Sequence, residues 1–135
     1  MIGVVHFGGY PCDVVVAIAA ETPQIVATLK SIGVEDNEID DLEFDEDVSE
    51  YGFTMLVGTK VLIRLEAFDG SAKAYGDLAH EIHHAVCTMM KRMGIPQHDK
   101  TEEAYAYAIS DLTEKIIPLV TNGASAPPPS SPRQP

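Results

Sequence analysis

The chain has 135 residues, about the length of one domain, and 45% of them are apolar, so a single folded core is expected. Its formal net charge is −12. Such a charge repels nucleic-acid phosphates and anionic lipid surfaces, so neither nucleic acid nor a membrane is an expected partner.

The two cysteines, Cys12 and Cys87, are too few for the disulfide framework of a small secreted domain, so free thiols are expected. The first residues lack the positive and apolar regions of a signal peptide. The longest apolar run, residues 14–20, is too short to cross a membrane. These features predict a cytoplasmic protein.

The first part of the chain contains one predicted strand and one predicted helix. Residues 1–12 carry Gly and Pro without apolar periodicity and are interpreted as a lead-in. The run Asp13–Ala19 is β-branched and apolar, which predicts a strand covered on both faces. Thr22 followed by Pro23 is typical of a helix start with Thr22 as N-cap, and Gly33 is a typical stop.

An acidic segment separates this part from a predicted hairpin. Ten of the 21 Asp and Glu residues lie in residues 35–50, which contain no Lys or Arg, so a solvated surface loop with room for one short element is predicted. Phe53–Val57 and Val61–Phe68 are predicted strands. The Gly58-Thr59 pair between them predicts a hairpin turn.

Two helices follow the hairpin. An apolar stripe predicts a helix over Ala74–Met93, ended by Gly94 and Pro96. A last helix is predicted from near Thr101 towards Pro118.

The predicted elements define a domain and its fold class. Residues 123–135 are rich in Pro and Ser and are predicted to be a flexible tail, which leaves one domain over residues 1–122. The predicted order is strand, helix, two strands, helix, helix. This order indicates an α+β fold in which a small three-stranded sheet packs on the helix over residues 74–93.

The helix over residues 74–93 contains the pattern His-Glu-x-x-His, formed by His80, Glu81 and His84. Residues four apart lie one turn apart on the same helix face, so both imidazoles can reach one metal ion, and imidazole is a usual ligand of Zn²⁺. Glu81 lies beside the pair, where it can take a proton from a zinc-bound water. The pattern predicts a zinc site with Glu81 as the general base.

A catalytic zinc ion usually has three protein ligands and one position left for water. The last helix begins with two carboxylates, Glu102 and Glu103. Since a short link allows the two helices to pack antiparallel, a carboxylate at this start can approach the motif. It would complete a set of two His and one Glu, which is a known catalytic arrangement.

These residues resemble the gluzincin metallopeptidases, in which His-Glu-x-x-His is followed by a helix carrying Glu-x-x-Ala. Glu103 to Ala106 fits that second pattern, whereas Glu102 does not, because Tyr stands at position 105. The runs AHEIHHAVCTMMKRMGIP and TEEAYAYAISDLTEKI are similar to small metallopeptidase-like proteins of phages and prophages. The similarity extends over about residues 10–117 and is most specific over residues 79–107.

The resemblance implies a minimal zincin core with zinc on His80, His84 and Glu103 and with Glu81 as base. It implies a peptide or protein substrate and, for a phage-encoded protein, a location in the host cytoplasm or the virion. One position departs from the family pattern. Many gluzincins have Asp four residues after the ligand Glu, where this chain has Tyr107, so a zinc-binding His must be supported differently.

Other residues near the motif are candidates for substrate or metal contact. Tyr105 and Tyr107 carry phenols that can stabilise an oxyanion, with core packing as the alternative for both. His83 can flank the site, with an ordinary exposed helix position as its alternative. Cys87 lies near the same helix face as His84 and can compete for metal as a thiolate, with burial as a small apolar residue as its alternative.

The sequence predicts a zinc-dependent peptidase that hydrolyses peptide bonds through a zinc-bound water activated by Glu81. An extended substrate is expected to pair with the strand Val61–Phe68. The alternative is a catalytically silent zincin-fold protein with a structural or interaction role, such as a phage particle component with a phage or host protein partner. The short chain and Tyr107 in place of Asp keep this alternative open.

Overall fold

A computed structural model describes residues 1–8, 12–40 and 52–125, which form an α+β fold of four strands and four helices. The strands are β1 (Ile2–His6), β2 (Asp13–Ile18), β3 (Phe53–Val57) and β4 (Lys60–Leu65). The helices are α1 (Thr22–Ser31), α2 (Asp36–Asp40), α3 (Ala72–Arg92) and α4 (Glu102–Ser125). Within these ranges no helix has both the length and the apolar composition that a bilayer crossing requires. The acidic residues 41–51 and the predicted tail beyond residue 125 lie outside the described residues.

The four strands form one mixed sheet in the order β1-β2-β4-β3. The central strands β2 and β4 are parallel, in register from Val14 opposite Val61 to Ile18 opposite Leu65. β1 pairs antiparallel with β2, and β3 pairs antiparallel with β4. The prediction of a three-stranded sheet is therefore wrong by one strand, and the additional strand is β1.

β1 occupies residues that the sequence pattern assigned to an irregular lead-in. Its five residues, IGVVH, are few and include a glycine, so they carry little periodic signal. Gly3 allows α4 to approach closely, because a Cβ at this position would lie 2.8 Å from Cδ1 of Leu119. The end of the strand is fixed by His6, which pairs with Asp13 at the start of β2. This strand is specified by its tertiary contacts more than by its own pattern.

Helices cover both faces of the sheet and make three layers. α1 and α2 cover one face, where Ile25 and Ile39 belong to a core shared with Val15 and Leu62. α3 and α4 cover the other face, and the larger core there is built from alternate strand residues and the inner faces of both helices: Val14, Val16, Ile63, Leu65, Leu78, Ile82, Val86, Met89, Leu112, Ile116 and Val120. The prediction that the strand over residues 13–19 is covered on both faces is confirmed.

The predicted ends of α1 and of the hairpin strands are close to the observed ones. α1 begins at Thr22, but its N-cap is Glu21, whose backbone N–H donates to Oε1 of Gln24 at 3.0 Å. Gly33 follows the helix with φ 95°, as predicted for a helix stop. β3 has the predicted bounds, whereas β4 ends at Leu65 instead of residue 68. α2 lies in the acidic segment, within which the sequence pattern allows one short element.

α3 starts two residues before the predicted position because Ser71 caps it. The side-chain oxygen of Ser71 accepts a hydrogen bond from the backbone N–H of Ala74 at 3.1 Å. The helix ends at Arg92, and Gly94 follows in the left-handed conformation with φ 74°. Its N–H donates to the carbonyl of Lys91, which closes the last turn. The helix thus presents the predicted motif in its middle.

α4 is longer than predicted, since it continues through Pro118 to Ser125. Proline has no N–H and usually ends or kinks a helix. Here Ile116 and Val120 are both buried, one on each side of the proline in sequence, and Pro118 itself is exposed. Packing of this stretch against the sheet therefore outweighs the local cost of the proline.

Gly76 lies inside α3, and a Cβ added there would meet no atom within 4 Å. Because Gly is less favourable than Ala in a helix interior by about 0.5–1 kcal/mol, Gly76→Ala is expected to raise the free energy of unfolding by that amount. Urea denaturation measures the change. Gly94→Ala is the matched control, since a Cβ there also meets open space but φ is 74°. It should lower stability by about 1 kcal/mol, and similar shifts in both variants would contradict this account.

Candidate metal centre

His80 and His84 lie on the outward face of α3, and their Nε2 atoms are 3.0 Å apart. The rotation of the helix is set by buried residues on its inward face, among them Leu78 and Ile82. The two ring planes are inclined by 78° and the ring centroids are 4.6 Å apart. Both imidazoles therefore direct Nε2 to the same point in front of the helix.

The Nε2 separation of the imidazole pair suits two ligands of one zinc ion. Two nitrogens bound at about 2.05 Å to a tetrahedral zinc ion lie about 3.3 Å apart. A hydrogen bond between a protonated and an unprotonated Nε2 would give a similar distance. Between exposed groups such a bond contributes about 1 kcal/mol at most, so it is a weak reason for the two rings to converge. The carboxylate of Glu81 beside the two rings provides a stronger reason for their convergence.

Glu81 is the buried charged residue among those the structure describes, with 6% of its surface exposed. Its Oε2 accepts a hydrogen bond of 2.7 Å from Oγ1 of Thr54 on β3. The same hydroxyl lies 3.1 Å from the backbone carbonyl oxygen of Glu81. Burial of a carboxylate is costly unless it is paired with a cation or well hydrogen-bonded. The Thr54 hydroxyl offsets part of that cost, and a metal cation beside the carboxylate would offset more of it.

The ligand atoms of His80, Glu81 and His84 all lie within 4.8 Å of one another. Imidazole nitrogen and carboxylate oxygen are the donors that zinc takes most readily besides thiolate. In this chemistry two imidazoles would bind the ion and Glu81 would stand next to it. The residues present therefore fit zinc at two ligand positions.

A cavity of about 340 Å³ opens beside this group and is lined by Gly52, Gly76, Asp77, His80 and Glu81. Its volume falls at the lower end of the range of small-ligand pockets, which is about 300–1,000 Å³. The glycine of α3 one turn before His80 adds no side chain to the wall. The cavity therefore gives access to His80 and Glu81 from the side where β3 begins.

Glu103 lies on the first turn of α4 with an exposed side chain, and it is not part of the group of three. Tyr105 is buried, and Glu103, two residues earlier, is about 200° away around the helix. Glu102, three residues before Tyr105, is about 60° from the buried face. The structure thus brings His80, Glu81 and His84 together and leaves Glu103 apart from them.

The two tyrosines occupy different environments, and neither lines the cavity beside His80. Tyr105 is buried, and its hydroxyl donates to the carbonyl of Ile95 at 2.8 Å. Burial raises the pKa of the Tyr105 phenol, and the nearby Cys87 adds to the rise, so the phenol remains a neutral donor to Ile95. Tyr107 is 70% exposed and lines an apolar groove of about 610 Å³ together with Met90.

His83 and Cys87 form a pair on the neighbouring strip of α3. Nε2 of His83 is 3.5 Å from Sγ of Cys87, and His83 is exposed whereas Cys87 is half-buried against the core. Both Cys87 and the buried Cys12 are free thiols, which agrees with the prediction. Neither residue of the pair belongs to the group formed by His80, Glu81 and His84.

Thr54 is the site residue that sequence reasoning missed. In the sequence it is an unremarkable strand residue, and nothing in its neighbours links it to residue 81. Strand alternation alone offers a weak signal, since it places the hydroxyl of Thr54 opposite the sheet face of Phe53 and Met55. That β3 rather than β4 lies at the edge of the sheet, next to α3, follows only from the strand order.

Comparison of the chain with protein-family models, with curated proteins and with solved structures gives no match. The candidate site is therefore defined by two observations of the chain itself. One is the His-Glu-x-x-His pattern in the sequence. The other is the convergence of His80, Glu81 and His84 in the structure.

Proposed function

We propose that the protein is a zinc-dependent peptidase with a minimal zincin-type core of the gluzincin kind. The observation that carries the proposal is the convergence of two exposed imidazoles with a buried carboxylate, all within 4.8 Å. On an ordinary exposed helix face, a carboxylate beside two imidazoles would be solvated, whereas Glu81 is only 6% exposed. His80 and Glu81 also line a cavity, and convergent polar groups at a cavity are typical of a binding or active site.

The proposed roles follow from the position of each group. His80 and His84 would hold the ion through Nε2. Bound zinc would make hydroxide available near neutral pH and would polarise the carbonyl of the substrate. Glu81 would take the proton from the attacking water at Oε1 and pass it to the nitrogen of the leaving amine. Its contact with Thr54 holds the carboxylate in place before substrate arrives, which reduces the reorganisation that the reaction requires.

The strand that would receive an extended substrate is β3. The sequence-based expectation was the strand over residues 61–68, but β4 pairs with β2 on one side and β3 on the other and has no free edge. β3 is the last strand of the described sheet on the side of α3, and its Thr54 touches Glu81. A peptide that adds to this edge through main-chain hydrogen bonds would pass beside the imidazole pair.

The third ligand is proposed to be Glu103, as the gluzincin resemblance implies. Its side chain is exposed on the first turn of α4, and the proposal requires it to turn towards the imidazoles when zinc binds. Glu103→Ala is expected to lower zinc affinity by more than about 10-fold, since even partners outside the ligand shell are worth 10–100-fold. Isothermal titration with zinc measures the change.

Glu102→Ala is the matched control for the third ligand, because it removes the neighbouring carboxylate from the same helix turn. It should change zinc affinity by less than about twofold and stability by at most about 1 kcal/mol. A loss of affinity in Glu102→Ala alone would transfer the ligand role to Glu102, which lies closer than Glu103 to the buried face of α4. Unchanged affinity in both variants would remove α4 from the metal site.

A catalytically silent zincin-fold protein with a structural or interaction role is the second candidate. It is favoured by one observation, namely that the described residues gather two ligands and Glu81 but no third ligand. Such a protein would bind zinc and cleave nothing, and its partner would be a phage or host protein. Recovery of the protein in stoichiometric amount from purified phage particles would support this candidate.

The peptidase proposal is tested by measuring zinc content and peptide cleavage on the same preparation. The proposal predicts close to one zinc ion per chain and cleavage of a random peptide library that a chelator abolishes and added zinc restores. Zinc binding without any cleavage would select the silent alternative. Failure to bind zinc would overturn both.

A further inference from the structure

We infer that Thr54 is a positioning residue for the proposed base: its hydroxyl, on the edge strand β3, holds Oε2 of Glu81 so that Oε1 faces the cavity beside His80. The inference rests on the proposed function and deepens it. It assigns a role to a residue of β3 that lies outside the His-Glu-x-x-His motif.

The geometry gives the two carboxylate oxygens different surroundings. The Thr54 hydroxyl has one proton, and the shorter of its two contacts, 2.7 Å against 3.1 Å, is the one to Oε2. Among the described residues no buried side-chain oxygen lacks a hydrogen bond. We place Oε1, the oxygen that Thr54 does not hold, at the wall of the cavity that Glu81 lines, where a water or substrate atom can reach it.

A glutamate side chain has three rotatable bonds, and holding it in one orientation has a cost in conformational entropy. The hydroxyl of Thr54 makes the hydrogen bond that opposes this loss. It comes from a strand that is paired residue by residue with β4, with Thr54 opposite Ile63. The orientation of the base is thereby tied to the sheet and is independent of the imidazoles.

In this arrangement β3 has two roles. β3 holds the base through Thr54, and its outer edge, the last of the described sheet, is the proposed docking edge for an extended substrate. A peptide that pairs with β3 would therefore be placed relative to Glu81 by one rigid element. Loss of the hydroxyl should impair the chemical step much more than the binding of substrate.

The test compares Thr54→Val, which keeps the shape and removes the hydroxyl, with Thr54→Ser, which keeps the hydroxyl. With zinc-loaded protein, Thr54→Val is expected to lower kcat by about 10–100-fold, as for other partners that orient a catalytic group, with KM changed less than about threefold. Thr54→Ser should keep kcat within about threefold of wild type. Zinc stoichiometry should remain unchanged in both variants.

A second readout does not depend on activity. In metal-free protein Thr54→Val is expected to lower the melting temperature by about 3–10 °C, because it leaves Oε2 of Glu81 buried without a partner. In a Glu81→Ala background the same substitution should have a smaller effect, since only the contact of the hydroxyl with the backbone carbonyl of residue 81 remains. Thr28→Val is the matched control, because its hydroxyl bonds the Gln24 carbonyl within α1 on the opposite face of the sheet.

The outcomes separate this inference from the proposed function. Active wild type with a Thr54→Val variant that retains full kcat would overturn the role of Thr54 alone. An equal loss of kcat in the Val and Ser variants would also overturn it, since the hydroxyl would not be the cause. Wild type that binds zinc and cleaves nothing would overturn the peptidase proposal itself, whatever the stability measurements show.

Discussion

Replacement of Glu81 by Gln is expected to leave zinc binding intact and to lower kcat by about 10²–10⁴-fold, the usual contribution of a general base. Gln has the shape of Glu, and its amide oxygen can accept the hydrogen bond from Thr54 that Oε2 now accepts. The fold should therefore be retained. The amide cannot take a proton from water, so the loss should appear in kcat and leave KM nearly unchanged.

The same chemical change elsewhere provides the control for this variant. Glu114→Gln alters an exposed residue of α4 and should have no effect on cleavage. Steady-state kinetics with one peptide substrate, together with zinc analysis of each protein, distinguish the possibilities. Cleavage by Glu81→Gln at a rate near that of wild type would remove Glu81 from the mechanism.

Replacement of His80 or His84 by Ala is expected to lower zinc affinity by more than about 100-fold, since even residues that merely support ligands are worth 10–100-fold. Both side chains are exposed, so the free energy of unfolding of each metal-free variant should lie within about 0.5 kcal/mol of the wild-type value. Zinc at 100 times its dissociation constant should stabilise wild type by about 2.7 kcal/mol and neither variant. Thermal unfolding with and without zinc measures the difference.

His83→Ala is the control that separates metal binding from a general effect of removing an imidazole. His83 is exposed on the same helix, next to His84 in sequence, but it is not part of the group of three. Its zinc-induced stabilisation should equal that of wild type. Equal loss of stabilisation in the His83, His80 and His84 variants would show that zinc binds this helix without the proposed geometry.

The elements with strong periodicity are those that the sequence predicts well. The apolar run of β2, the hairpin strands and α3 all carry repeated signals that match their burial, so local pattern and tertiary contact agree there. β1 and the last turns of α4 carry weak or contrary signals. Gly3 and Pro118 are unfavourable in a strand and in a helix, and both are accommodated by the packing of α4 against β1, which is non-local.

The candidate site also has features that the sequence predicts and features that it does not. The i, i+4 spacing of His80 and His84 is a property of one helix, so their convergence is predictable from the sequence. The burial of Glu81 against Thr54 depends on which strand lies at the edge of the sheet, and the position of Glu103 depends on the rotation of α4. Both are set by tertiary packing, which neither motif nor spacing encodes.

His80 and His84 are proposed to bind one zinc ion with Glu81 beside it. A crystal structure of protein purified without added metal and then equilibrated with zinc tests this, with anomalous diffraction recorded on both sides of the zinc absorption edge. We expect one anomalous peak about 2.0–2.1 Å from Nε2 of both His80 and His84. No peak at this position, or a peak bound by other residues with these imidazoles left free, would contradict it.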